Sequence, residues 1–474
     1  MAERRAGAFD RMRRQAVALQ YATLRLLLAA GERTAFGRDH RLTAAMDADR
    51  FAAAVPVRTY DQMRQYIGRM MAGEASVTWP GVTRCFARSS GTTSDRSKYI
   101  PVTRTSIRRS HARGMADVAS MYALTHPRSR LFEGKTLTLG GSYSRSGGAM
   151  VGDLSALLIE RLSLFGGWFR LPGRGVATIE NFDDKTAAIC RECTRQRVTS
   201  FAGVPSWNLV LMRRVLEYTG KSNLLEVWPD LELFAHGGVG FAPYRRAFEE
   251  LLPRDDFSYM ETYNASEGFF AMADGERCDD MMLMTDYGTY YEFRRGDEIV
   301  PLEGVRTGVR YAMIITSCNG LWRYEIGDVV EFTSTDPYRI RLAGRTRQFI
   351  NAFGEELMAD TAERALLAAC EATGAVVDEY TAAPVYMSID RCGAHEWAVE
   401  FSRRPDDMAR FAAVLDSELR RMNSDYDAKR TTALGVPVVR ELPAGTFVEW
   451  MRRNGKNKVP HLHNDRGVID RLTI

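Results

Sequence analysis

Between about residues 80 and 345, apolar runs of strand length take turns with segments of helical period, and a chain written that way buries both kinds of element only in stacked layers. Residues 134–141 read as a strand before a Ser/Gly loop, 208–220 as a helix, 231–238 as a strand, and 309–317 and 322–334 as alternating strands. Tyr338-Arg-Ile-Arg-Leu342 alternates apolar with basic and stops at Gly344-Arg345, which predicts an edge strand ending in a turn. Beyond residue 345 the grain changes. A helix is expected over 357–372, strands near 376–390 and 395–402, and a helix over 406–422 with Phe411, Val414, Leu415, Leu419 and Met422 at core spacing. The expected fold class is α/β: a large layered α/β body over residues 1–345, then a small α+β domain over 346–474, with the junction near 343–350.

Charge excludes one class of partner. The 64 Lys and Arg are nearly cancelled by 60 Asp and Glu, leaving a formal net charge of +4, so no concentrated basic face for nucleic acid is expected. Arg4, Arg5, Arg11, Arg13 and Arg14 come closest, but Glu3 and Asp10 interrupt them. Phe9, Met12, Ala16, Leu19, Thr23, Leu26 and Ala30 follow at helical spacing, predicting one amphipathic helix docked on the body rather than a transit or signal peptide. Mean hydropathy is −0.27, and no apolar run reaches the roughly 20 residues that span a bilayer. A cytoplasmic protein without membrane partners, monomeric by default, is expected. The seven cysteines are odd in number in a chain too large to need disulfide staples. Cys190-Arg-Glu-Cys193 has no second pair at zinc-like distance and reads as part of a helix. Lysine is scarce: only seven occur, so each lysine in a chemically suggestive place stands out.

Four segments can carry chemistry. Ser89-Ser-Gly-Thr-Thr-Ser-Asp-Arg-Ser-Lys98 gathers hydroxyls, a glycine and a lysine that can present backbone N–H groups and one point charge to a phosphate, or form a plain Ser/Thr loop. It is not a Walker A sequence. Thr262-Tyr-Asn-Ala-Ser-Glu267 sets a lone glutamate between apolar stretches, either a solvated turn or a hard oxygen ligand suited to Mg²⁺. Trp322-Arg-Tyr-Glu-Ile-Gly-Asp328 closes an alternating strand with Asp328 at an expected turn, able to cap amides or accept both hydroxyls of a ribose. Asn454-Gly-Lys-Asn-Lys-Val-Pro-His-Leu462 is a short basic loop.

In that order the four segments resemble the signature of adenylate-forming enzymes, and more closely the Gretchen Hagen family of auxin-responsive acyl-acid amido synthetases. Residues 203–238, 344–358, 393–401 and 457–466 look like its bacterial branch, and the resemblance runs from about residue 35 to the end. It implies the adenylate-forming architecture, a small C-terminal domain that moves, and ATP and Mg²⁺ as cofactors. By the same resemblance, Ser89, Ser90, Gly91, Thr92, Thr93 and Lys98 would hold ATP phosphates, and adenine would pack on His236-Gly237-Gly238. Tyr263 and Ser266 would line the nucleotide pocket, Glu267 would bind Mg²⁺, and Asp328 would take the ribose with Arg345 nearby. Lys458 would stabilise charge on the reacting carboxylate and α-phosphate, with Lys456 competing for that role, while Ser206 and Trp207 fall where the acyl pocket is expected. Asp95 stands where the phosphate loop usually has glycine, and Gln348 where the hinge often has Asp or Lys.

The implied reaction adenylates a small carboxylic acid and passes the acyl group to the amine of an amino acid. Two rivals remain: transfer to the thiol of coenzyme A, and a nucleotide-binding protein that has lost catalysis.

Overall fold

The central parallel strands of the main sheet, Val198–Gly203 and Leu233–Gly237, are buried along most of their length because helices cover them. Val198–Gly203, Leu233–Gly237 and Ser258–Ala265 lie side by side in parallel, as do Val198–Gly203 and Lys135–Thr138, and Lys135–Thr138 and Arg170–Leu171. The structure, a computed structural model, describes residues 2–89, 98–161, 169–177, 179, 181–275, 279–345, 349–389, 391–454 and 459–472. From Ser258–Ala265 the sheet continues antiparallel through Gly268–Met272, Met281–Leu283, Tyr338–Arg345, Leu321–Thr335, Arg310–Ser317 and Thr289–Arg295 to Glu298–Pro301, making twelve strands. A four-stranded sheet, ordered Lys98–Pro101, Cys85–Ser89, Ala149–Gly152, Tyr143–Ser146, packs beside it. The C-terminal segment builds a three-stranded sheet from Val376–Val385, Ala394–Arg403 and Val438–Leu442, covered by the helices Ala359–Thr373 and Met408–Met422.

Local rules explain the helix that matters most for the site. Pro205 opens Pro205–Thr219, where its missing N–H costs nothing, and Gly220 ends it in the left-handed conformation at φ 66°. Leu209, Leu211, Met212 and Val215 face one apolar cluster that also holds Phe201, Phe234 and Phe248. That cluster extends without a break to Phe353, Trp397, Phe411 and Leu415 of the C-terminal segment.

Three expectations are corrected. The N-terminal stretch is two helices, Ala2–Arg14 and Ala16–Gly31, broken at Gln15, and Leu26 is 58% exposed rather than packed. Two of its arginines are nevertheless docked: Arg5 bonds buried Asp117 at 2.7 Å, and Arg13 meets Asp274 at 3.3 Å. Tyr338–Arg345 is interior, paired with Leu321–Thr335 on one side and Met281–Leu283 on the other. Alternation there reports two faces, not an edge: Ile340 is buried, while Arg339 is neutralised by Asp274 and Asp280. Gly327-Asp328 is no turn but lies inside the fifteen-residue strand Leu321–Thr335, at a register irregularity, with Gly327 at φ 95°. Cys190 and Cys193 do lie in the helix Phe182–Cys193, buried, and burial pushes the Cys193 thiol up to about 12, which makes it a poor ligand. Among the described residues no helix is long and apolar enough to cross a membrane.

Candidate functional site

In sheets of this kind ligands settle outside the carboxyl ends of the parallel strands. Gly203 runs there into Val204 and the helix bearing Ser206 and Trp207, Leu233–Gly237 delivers His236, Gly237 and Gly238, and Ser258–Ala265 delivers Tyr263 and the turn Ser266-Glu267.

Tyr263 and Asp328, from strands not adjacent in the sheet, meet directly: the buried phenol donates to Asp328 Oδ2 at 2.5 Å. Asp328 is 7% exposed and is the register partner of Arg345, whose side chain lies outside the description. Glu267 follows in the turn between Ser258–Ala265 and Gly268–Met272. Burial pushes its carboxyl up to about 7; Lys98 opposes that shift, and the negative Asp328 and Glu356 add to it. Lys98, Glu267 and Asp328 thus share one electrostatic neighbourhood. Lys98 opens the strand Lys98–Pro101 in register with Ser89, so residues 90–97 connect two paired positions. Ser90, Gly91, Thr92, Thr93, Lys456 and Lys458 lie outside the described residues.

His236, Gly237, Ser206 and Trp207 each lie against a neighbouring element. The His236 ring is 3% exposed and stacked on Phe241 at 4.1 Å, so its backbone, not its imidazole, reaches the strand end. Burial pulls it down to about 3, which keeps it neutral. A Cβ on Gly237 would come 2.3 Å from the Thr262 carbonyl oxygen, so this glycine is required by the neighbouring strand. Ser206 is buried and donates to the Phe353 carbonyl at 3.2 Å, which commits its hydroxyl to the C-terminal segment. Trp207, half-buried beside it, presents its ring to Lys429 Nζ at 3.9 Å.

Other residues hold this arrangement without having been signalled by the sequence. Asn319 is buried; its amide donates to the Glu267 carbonyl at 2.8 Å and its oxygen accepts from Thr103 N at 3.3 Å, fixing the turn that carries the glutamate. Glu355, fully buried, accepts from Ala352 N and Phe353 N at 3.2 and 2.7 Å and faces His395 at 2.8 Å. The loop so shaped reaches across: Tyr244 donates to the Ala352 carbonyl at 2.5 Å, and Asn351 to the Gly238 carbonyl at 3.3 Å. Among the described residues no group of three or more His, Cys, Asp or Glu could hold a metal ion.

Residues 5–169 and 148–257 match the GH3 family N-terminal domain, 282–345 the GH3 family central domain, and 360–467 the GH3 family C-terminal domain. Over 93 residues the chain is 36% identical to a jasmonoyl-L-amino acid synthetase of Oryza sativa subsp. japonica, a stretch covering 19% of this chain and 20% of that protein. The chain thus spans about a fifth of the length of that curated relative. Among solved structures it resembles GH3.15 acyl acid amido synthetase, with TM-score 0.64 and 17% identity over 98% of this chain and 95% of that one. It also resembles 2-hydroxyisobutyryl-CoA ligase in complex with 2-HIB-AMP and CoA, with TM-score 0.61 and 15% identity over 96% and 91%. The α/β architecture is that of the adenylate-forming enzymes.

Proposed function

The chain belongs to the GH3 family, and from that premise we propose that it is an ATP-dependent ligase that adenylates a small carboxylic acid and transfers the acyl group to the amine of an amino acid. The observation that carries this reading is the convergence of Lys98, Glu267 and the Tyr263–Asp328 pair at the carboxyl end of the parallel strands. Similarity to the synthetase from rice supports the choice of an amine as acceptor, and the four segments given above support the bacterial branch.

The chemistry needs two displacements. A carboxylate oxygen attacks the α-phosphorus of ATP and pyrophosphate leaves; a neutral amine then attacks the activated carbonyl, AMP leaves with the bonding pair, and the amine proton is lost. A carboxylate is a poor electrophile, and AMP is the leaving group that remedies this. In this reading Asp328, oriented by the Tyr263 phenol, receives the ribose hydroxyls, with Arg345 nearby. Lys98 and the hydroxyls of Ser89, Ser90, Thr92 and Thr93, with Gly91, hold the phosphates. Lys458 offsets charge at the α-phosphate. The backbone of His236, Gly237 and Gly238 forms a wall for the base, Ser266 borders the pocket, and Trp207 borders the acyl side.

Glu267 fits Mg²⁺. A carboxylate held at about 7 by burial among Asp328 and Glu356 gains from a cation beside it, and one carboxylate plus phosphate oxygens is an ordinary Mg²⁺ environment. When bound, Mg²⁺ supplies neutralisation of phosphate charge. We take residues 1–345 as the adenylating unit and 346–474 as a mobile cover hinged near 343–350, of which 346–348 lie outside the described residues. The cover keeps water from the adenylate.

The test is carboxylate-dependent exchange of labelled pyrophosphate into ATP, followed by mass analysis of products formed with a panel of amino acids and with coenzyme A. Amides are expected. Thioesters alone would move the assignment to the coenzyme A ligases that share the fold, and no exchange with any acid would refute the ligase.

A further inference from the structure

Lys429, on the helix Ser424–Arg430, keeps 8% of its surface exposed, and its Nζ stands 3.9 Å from the centroid of the Trp207 ring. Among the described residues this ammonium makes no ion pair and donates no hydrogen bond. A buried ammonium without an acceptor is costly, and an indole face offsets only part of that cost. Burial pulls Lys429 down to about 8, against the attraction of Asp425, Asp153 and Glu355. Two of those carboxylates are engaged elsewhere: Glu355 with two backbone amides and His395, Asp153 with Ser142 N at 2.8 Å.

The backbone makes room for this lysine. Gly354 has φ 92°, and a Cβ there would stand 3.1 Å from Lys429 Cε and 3.4 Å from Nζ. The same loop touches the candidate nucleotide site, since Asn351 donates to the Gly238 carbonyl and Glu356 acts on the Glu267 carboxyl. The ammonium therefore sits on the C-terminal segment, beside the expected adenylate and over a residue expected to border the acyl group.

We propose that Lys429 Nζ, held over Trp207, binds the α-carboxylate of the amino acid whose amine attacks the adenylate. The proposal rests on the ligase reading. A lone cation with carboxylates around it suits a zwitterion: the ligand's carboxylate meets Nζ, and the surrounding negative groups favour its ammonium before the proton is lost. A second carboxylate on the acyl substrate would offer Nζ the same chemistry, and the test separates the two sources.

Amide formation by the full chain is measured with benzoate, indole-3-acetate, hexanoate and succinate as acids, and with the twenty amino acids and their carboxamides as acceptors. The wild-type protein is expected to favour free amino acids over carboxamides by about tenfold or more in kcat/KM. In Lys429→Met that preference falls to near one, through KM for the amino acid, and Lys429→Arg keeps part of it. A Lys429→Met protein that keeps the full preference overturns the proposal, as does a loss confined to succinate, which would assign the carboxylate to the acyl substrate. A second readout works without turnover: glycine, but not glycinamide, should change the Trp207 fluorescence, taken as wild type minus Trp207→Phe. Equal responses to glycine and glycinamide, or none, overturn the site even if Lys429→Met does not fold. Absence of pyrophosphate exchange in the wild-type protein refutes the ligase instead, and the fluorescence arm then still decides whether Lys429 binds a carboxylate.

Discussion

Removing one oxygen from Tyr263 isolates the contact on which the nucleotide reading turns. The phenol donates to Asp328 Oδ2 at 2.5 Å between two buried side chains. Hydrogen bonds to charged groups of this kind contribute about 1.5–3 kcal/mol. Tyr263→Phe keeps the ring that packs edge-on to Phe270 at 5.0 Å, so the loss falls on the orientation and charge of the Asp328 carboxylate. If that carboxylate receives the ribose, KM for ATP in the exchange assay should rise roughly 10- to 100-fold, with KM for the acid nearly unchanged. Replacing ATP by its 2′-deoxy analogue supplies the internal control. The wild-type protein should discriminate against the analogue, Tyr263→Phe should discriminate less, and Asp328→Ala not at all. A Tyr263→Phe protein with wild-type KM for ATP and undiminished discrimination would refute the role given to the pair, whatever its thermal stability.

Glu267→Gln preserves shape but removes the charge that fits Mg²⁺; exchange should fall at least about a hundredfold, and near wild-type exchange would remove Glu267 from the metal role. Lys458→Ala should slow adenylation severely and Lys456→Ala mildly, with exchange rates deciding; the reverse ranking moves the role to Lys456. Acid should destabilise the fold through two buried histidines, because burial lowers His111 to about 4 and His236 to about 3. Below the ordinary value near 6.5 the unfolded chain binds protons that the folded chain refuses, so each histidine removes about 1.4 kcal/mol of stability per pH unit as pH falls towards its folded value. Urea unfolding at pH 7 and pH 5 should therefore show a smaller pH difference for His111→Gln than for the wild-type protein, and equal differences would contradict this origin.

The parts of the site that were legible in the sequence are those whose meaning is local. The Tyr263-Asn-Ala-Ser-Glu267 and Tyr324-Glu-Ile-Gly-Asp328 runs each sit on one strand or its adjoining turn, so their order along the chain survives folding. What failed was inference from local pattern to long-range pairing. Apolar–basic alternation in Tyr338–Leu342 is compatible with an edge or an interior strand, and only Asp274 and Asp280, far away in sequence, decide that Arg339 can lie inside. Gly327 resembled a turn residue because its left-handed conformation is needed, but it is needed for an irregularity within a continuous strand.

The scarcity of lysine illustrates the same division. In an arginine-rich chain, three lysines lie where a compact point donor differs most from a planar fork. Lys98 acts on the Glu267 carboxyl, Lys185 is buried with Nζ 3.2 and 3.1 Å from the Gly140 and Gly141 carbonyl oxygens, and Lys429 stands over Trp207 beside Gly354. The rarity was visible in the sequence, but its cause is steric and electrostatic. For Lys429 that cause, a ring on one side and a glycine on the other, comes from segments remote in the chain.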